Sequence, residues 1–185
     1  MDNMEILEDA IHEGVQVEFH YGNYDVDMKL HPRLNNMGNS RLYVINPYQI
    51  ATVNGRYYLI ANVHKYNSLS HYRIDRILDI KKKKKSVKPL SEVDGQSDTI
   101  DLPSYISQHP YMYSGPVAEY KIHVKRSGIN DVLDWFGTNV RFDNISEKET
   151  DVLVLSDASS IDFWLRRYQS EAQLVDHVNQ VGSST

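Results

Sequence analysis

Apolar residues recur at helical spacing at Met4, Leu7, Ala10 and Ile11, which predicts a short amphipathic helix over residues 2–13 closed by Gly14. From Val15 the period drops to two. Val15, Val17, Phe19 and Tyr21 alternate with polar residues, which predicts a strand. Gly22-Asn23 is expected to turn it, and Val26, Met28 and Leu30 to form a return strand stopping before Pro32. RLNNMGNS (33–40) reads as a polar loop. Next, Val44, Gln49, Ile50, Thr52 and Val53 lead into Asn54-Gly55, and Tyr57, Tyr58, Leu59 and Ile60 lead out. Asn-Gly between apolar runs signals a two-residue hairpin, because a type I′ turn needs positive φ at both central residues. Residues 70–77 alternate again: Tyr72 and Ile74, with Arg76 next in the series, share one face, and His71, Arg73 and Asp75 the other. About five strands with short turns predict a small, strongly bent sheet or barrel.

The second half has a different rhythm. AEYKIHV (118–124) alternates as a strand. Ile129, Val132, Leu133 and Phe136 sit at helical spacing before Gly137, Val140 and Phe142 suit a strand, and so do Val152, Val154 and Leu155. Residues 160–168 suit a helix with Ile161, Trp164, Leu165 and Tyr168 inward, and Leu174, Val175 and Val178 a last strand. The order β-α-β-β-α-β is the ferredoxin-like split motif. Between the halves, 86–100 is polar with Pro, Gly and Ser, as an interdomain linker would be.

Charge divides the same way. Residues 14–90 carry 13 Lys/Arg against 5 Asp/Glu, and residues 91–185 carry 7 against 15, inside a formal net charge of −5. A basic ligand site is therefore compatible with the acidic total if it is local. Five consecutive lysines at 81–85, after a strand ending near Ile80, suit a phosphate-binding patch or localisation signal, and better a solvated edge strand entering the linker, where lysines discourage edge pairing.

The 185 residues suffice for one large domain or two small ones. No apolar run approaches the roughly 20 residues of a membrane span, and the acidic start lacks the pattern of a signal peptide. The absence of cysteine excludes disulfides and thiolate metal sites and is compatible with a cytoplasmic home. Eight histidines show no HExxH or carboxylate–histidine ligand spacing, and no nucleophile-elbow, P-loop or dinucleotide motif occurs, so neither a cofactor nor an enzymatic site is expected. Asn144-Ile145-Ser146 fits the glycosylation pattern by chance. Trp135-Phe136 and Trp164 read as core, and the 13 tyrosines either as amphipathic packing or as a stacking platform for bases with arginines on phosphates.

These residues resemble the WYL-domain family. Its Trp-Tyr-Leu tripeptide is matched by Tyr57-Tyr58-Leu59 after Asn54-Gly55-Arg56, with Tyr in the Trp position. Asn46-Pro47-Tyr48 matches its upstream element, residues 72–77 (YRIDRI) its downstream element, and Tyr21 its first-strand tyrosine. Asp101-Leu102, Tyr105, residues 111–115 (YMYSG) and 134–137 (DWFG) are similar to the C-terminal extension that often follows. The resemblance implies an α+β chain: an Sm-like, SH3-like five-stranded β-barrel with its N-terminal helix at 1–85, a linker at 86–117, and a ferredoxin-like βαββαβ extension at 118–185.

Family members are mostly bacterial transcriptional regulators in which a helix-turn-helix binds DNA and the barrel senses a ligand, in some cases single-stranded nucleic acid. The resemblance therefore implies a ligand-sensing effector module for a nucleic-acid or nucleotide-like anion, with Tyr48, Tyr58, His71, Arg73 and Arg76 around the site and His64 and Lys65 at its rim. Arg76 is expected to follow a bulge or strand end. A stand-alone nucleic-acid-binding or accessory protein is the alternative. The resemblance finds no helix-turn-helix in this chain, as expected of an excised effector module or of a member that works without its own DNA-binding domain. The tail after Tyr168 lacks the family's Pro, as expected of an atypical or truncated end. The opposite charges of the two halves permit a homodimer.

Overall fold

The computed structural model describes residues 2–93 and 95–178, and the chain divides into two compact units, Met1–Ile100 and Asp101–Thr185. It is a mixed α+β protein built on antiparallel sheets.

The first unit opens with helix α1 (Asn3–Glu13), whose Gly14 C-cap takes the left-handed conformation at φ 65°. Glycine adopts it without a Cβ penalty. Strands β1 (Val15–Tyr24), β2 (Leu30–Pro32), β3 (Leu42–Val53), β4 (Arg56–Val63), β5 (Leu69–Arg73) and β6 (Ile77–Ser86) follow, with a 3-10 turn at Ile74–Arg76 between the last two. The sheet runs β2-β1-β3-β4-β5, and β6 pairs with β1. Because a three-residue turn carries β5 into β6, the path returns to the strand from which it started. Asn54 and Gly55, at φ 50° and 70°, form the expected two-residue turn, with Val53 opposite Arg56.

Alternation along β1, β3, β4 and β5 puts Val17, Phe19, Tyr21, Ile45, Leu59 and Tyr72 into one core with Leu7 and Ala10 of α1. Each fully buried large apolar side chain stabilises the fold by about 1.5–3 kcal/mol.

Three expectations are corrected. Gly22-Asn23 does not turn the chain: β1 continues to Tyr24, and the reversal occurs where Met28 N donates to Asp25 O at 2.8 Å. Glycine serves another purpose there, since a Cβ at Gly22 would lie 3.2 Å from Leu30 Cδ2 and 3.3 Å from Leu78 Cδ1. The return strand keeps only Leu30–Pro32, with Pro32 opposite Gly22, and leaves Val26 and Met28 exposed. The lysines at 81–85 do not follow the strand but lie within β6, where Lys81, Lys82, Lys84 and Lys85 stay exposed as the solvated-strand reading expects. Lys82 pairs with Asp9 and Glu13, and Lys83 with Glu18.

In the second unit, α2 (Leu102–Gln108) precedes β7 (Val117–Lys125), α3 (Ile129–Phe136), β8 (Arg141–Asp143), β9 (Glu149–Asp157), α4 (Ala158–Arg167) and β10 (Ala172–Val178). The antiparallel sheet has the order β10-β7-β9-β8. Ile122 and Val124 of β7, Val152 and Val154 of β9, Val132 of α3 and Trp164 of α4 form its core. Helix α4 begins at Asp157, whose carboxylate accepts from Ser160 N at 2.8 Å and from Ser160 Oγ at 2.6 Å. The stretch 86–117, expected to be linker, carries the end of β6, a 3-10 turn at Leu90–Glu92 and α2. The atypical end expected of the tail lies partly in residues 179–185, outside the described residues.

Candidate functional site

Four aromatic rings meet inside the first unit: Phe19 and Tyr21 on β1, Tyr43 on β3 and Tyr72 on β5. The Tyr21 and Tyr72 centroids lie 5.2 Å apart, edge to face, and Tyr43 and Tyr72 5.7 Å apart. Such edge-to-face pairs set the positive rim of one ring against the negative face of the next. The tyrosines are about 95% buried, so each phenol must find a polar partner within the protein. Tyr21 finds the backbone N–H of Arg73, which donates to its hydroxyl at 2.9 Å.

Arginines gather on these rings. The Arg33 guanidinium lies 4.8 Å from the centre of the Tyr21 ring and also donates to Asn23 Oδ1. Arg41 lies 4.7 Å from the centre of the Tyr43 ring. Burial raises the Tyr21 hydroxyl above the usual phenol range, opposed by the Arg73 hydrogen bond and the charges of Arg76, Arg33 and Arg73. Burial likewise pushes Tyr72 up to about 12. Both phenols thus stay neutral, with the guanidinium groups of Arg33 and Arg41 held against the Tyr21 and Tyr43 rings.

Of the residues expected at the site, Tyr58, His71 and Arg73 lie on neighbouring strands β4 and β5, and Arg76 ends the 3-10 turn that follows. Tyr58 stands opposite Arg73 across β4 and β5, and Ile60 stands opposite His71, so Tyr58, His71 and Arg73 share the face turned away from Leu59 and Tyr72. That face is not uniformly polar: Ala51, Val53 and Ile60, on the same side, are buried. Arg73 makes a two-pronged contact with Asp75, Nε to Oδ1 at 3.0 Å and Nη2 to Oδ2 at 2.6 Å. The Arg73 hydrogen bond holds the Asp75 carboxyl below its usual range. Arg76 leaves the strand alternation because it ends the 3-10 turn, and its Nε is buried without a hydrogen-bond partner. Beside Asp75 opens a cavity of about 390 Å³, bounded by Asp2, Asn3 and Met4 of α1, Gly55, Arg56 and Tyr57 of the hairpin, and Ile74.

Tyr48, His64 and Lys65 do not join this group. His64 lies six residues along β4 and its turn from Tyr58, about 20 Å at strand rise. Tyr48 is the extra residue of a bulge between Pro47 and Gln49, and its hydroxyl donates to Lys88 O at 2.7 Å. Burial pushes that phenol up to about 12. His64 contacts Gln16 and Lys85, and the Lys65 ammonium lies 5.0 Å from the Tyr66 ring centre.

Arg33, Arg41 and Tyr43 were not expected from the sequence. The loop at 33–40 closes on itself through a Leu34–Ser40 bridge and the Arg41 N–H donating to Arg33 O at 2.7 Å, which brings its flanking arginines together. Asn35 and Gly38 were the available turn signal. Among the described residues, no group of three His, Asp or Glu side chains could hold a metal ion, and no helix is long and apolar enough to cross a membrane.

Tyr57-Tyr58-Leu59 thus lies on β4, with Arg73 ending β5 and Arg76 ending the 3-10 turn. Residues 2–82 match the model of the WYL domain, so the chain carries a WYL domain over that span. Among solved structures it is similar to the proteasome accessory factor B/C (PafBC) of Arthrobacter aurescens, at 14% identity and a TM-score of 0.39, over 94% of this chain and 24% of that one. The chain thus spans about a quarter of that protein's length. No curated protein matches it.

Proposed function

We propose that the chain is a ligand-sensing effector module of a bacterial transcriptional regulator, and that it binds a nucleic-acid or nucleotide-like anion at the arginine–tyrosine cluster of its WYL domain. The observation that carries this reading is the cationic surrounding of Tyr21: Arg33 lies against its ring, the Arg73 backbone N–H donates to its hydroxyl, and the charges of Arg76, Arg33 and Arg73 act on the phenol. One carboxylate, that of Asp75, answers the fork of Arg73. Planar guanidinium forks suit phosphate oxygens, and tyrosines such as Tyr58 and the exposed Tyr57 give bases a surface on which to stack. In this reading Tyr58, His71, Arg73 and Arg76 touch the ligand, and Tyr48, His64 and Lys65 serve a longer ligand at its far end.

The finer assignments belong to the same proposal. The strand path of the first unit supports an Sm-like, SH3-like barrel within 1–85, and the order β10-β7-β9-β8 supports a ferredoxin-like extension within 118–185, with 86–117 connecting them. The protein works as a cytoplasmic, non-enzymatic homodimer alongside a DNA-binding helix-turn-helix. Sedimentation showing only monomer at high concentration would remove the dimer.

The test is fluorescence polarisation of short labelled single-stranded DNA and RNA at two salt concentrations. Wild type should bind in a salt-sensitive way, and Arg73→Ala with Arg76→Ala should abolish binding. Salt-independent binding, or binding unaffected by the double substitution, would defeat the reading. The alternative, a stand-alone nucleic-acid-binding protein, is favoured if binding is tight without any second DNA-binding domain.

A further inference from the structure

A chain of buried side-chain amides in the first unit runs from two backbone carbonyls to a histidine ring. Asn62 Nδ2 donates to the carbonyls of Tyr66 and Ser68, each at 2.9 Å. A carbonyl only accepts, so the amide is fixed with Oδ1 toward Asn46. Asn46 Nδ2 donates to that oxygen at 2.9 Å, which leaves Asn46 Oδ1 as an acceptor. The backbone N–H of Lys88, 3.1 Å from Asn46 Oδ1, demands the same orientation. Gln16 Nε2 donates to the same oxygen at 2.8 Å. Gln16, Asn46 and Asn62 are all at least 99% buried, so water does not reorganise the relay.

The relay dictates the tautomer of His64. Gln16 Nε2 also lies 3.1 Å from His64 Nδ1, and since that nitrogen of Gln16 is a donor, Nδ1 accepts. The neutral ring then carries its hydrogen on Nε2. Lys85 Nζ lies 3.2 Å from His64 Nε2, and an ammonium has no lone pair. Two donors therefore face each other across an exposed gap. Protonating the ring would add a donor and remove none.

Nothing nearby relieves this. Lys82 and Lys83 take the carboxylates of Asp9, Glu13 and Glu18, while among the described residues no carboxylate lies within ion-pair distance of Lys85. Lys88 is taken up by the turn carbonyl of Tyr66 and the Asn67 side chain. We propose that His64 Nε2–H and Lys85 seat one phosphate group, whose oxygens accept from both. A phosphate group offers several acceptor oxygens and negative charge to the ammonium and the ring N–H at once. The seat deepens the proposed function, which sets His64 at the far end of the ligand, but its geometry does not depend on the arginine–tyrosine cluster.

The experiment is an NMR titration of the full chain, reading the ¹⁵N and ¹H resonances of the His64 ring. Inorganic phosphate replaces chloride at constant ionic strength in one arm, and a short oligothymidylate is added in the other. The ring should show the Nε2–H tautomer before addition, and phosphate should move its signals. Lys85→Gln should weaken that response about fivefold or more, the loss of one charge-assisted hydrogen bond. If the oligonucleotide moves the same signals at lower concentration, the seat takes backbone phosphate; if only inorganic phosphate does, it takes the free anion. Arg73→Ala with Arg76→Ala should leave the phosphate response intact, which separates failure of this seat from failure of the arginine site. An Nδ1–H tautomer, silence to both probes, or a response indifferent to Lys85→Gln would each overturn the proposal.

Discussion

The backbone N–H of Arg73 donates to the hydroxyl of Tyr21 at 2.9 Å, joining the end of β5 to the middle of β1. Tyr21 is 5% exposed, so this phenol satisfies a main-chain donor and at the same time sets where Arg73 leaves the sheet. Tyr21→Phe removes the acceptor and keeps the ring. Stability should fall by about 1–2 kcal/mol, the cost of stranding a part-buried donor. Chemical denaturation should show a lower midpoint at an unchanged m value. Affinity for an anionic ligand should fall with it, because Arg73 loses its anchor.

Asp75 occupies the guanidinium fork of Arg73, and a phosphate would have to displace it. Asp75→Asn should therefore raise affinity for single-stranded nucleic acid about threefold to tenfold and steepen its salt dependence, because one more cation becomes available to phosphate. A fall in affinity would instead mean that Asp75 holds Arg73 in its binding pose. Polarisation titrations at two salt concentrations decide between these outcomes.

The amide relay gives a third expectation. Asn62→Leu deprives the carbonyls of Tyr66 and Ser68 and the Asn46 amide of their partner. Buried polar groups left unpaired cost about 1–3 kcal/mol each, with partial relaxation, so a loss of about 2–4 kcal/mol is expected. Hydrogen exchange should quicken in the 64–68 turn before it does in β1 or β3.

What could be read from the chain follows from how local each cause is. The Asn54-Gly55 turn was legible because two adjacent residues alone can meet its demand for positive φ. The helix ending at Gly14 and the βαββαβ order were legible from spacing. Gly22 misled, since the same residue type serves turns and close packing, and its neighbours Leu30 and Leu78 are remote in sequence. The lysine run is a solvated strand, as expected, but its ion pairs with Asp9, Glu13 and Glu18 were not legible because those carboxylates are remote in sequence. At the site, Tyr58 and Arg73 were expected from the family resemblance, with alternation adding only that His71 and Arg73 share a face, but Arg33 and Arg41 were not expected. Their loop is closed by backbone contacts that carry no side-chain signature.

In the second unit, His123 sits between two carboxylates, Nδ1 at 2.7 Å from Asp151 Oδ1 and Nε2 at 3.3 Å from Glu149 Oε2. The Asp151 hydrogen bond first, then that of Glu149, raises its pKa above 6.5. A group whose pKa is raised on folding binds its proton more tightly in the native state. Its stabilisation is fully present below the unfolded value near 6.5 and is lost as pH rises through the higher folded value. Asn144 Nδ2 and Lys121 also reach Asp151, so they continue to hold that carboxylate when the imidazolium is gone, and the loss is partial. Unfolding of the second unit should therefore shift to lower denaturant as pH rises from about 6 to 8. His123→Gln, which cannot titrate, should flatten that slope while costing stability at pH 6. An equal slope in the variant would show that another group carries the dependence.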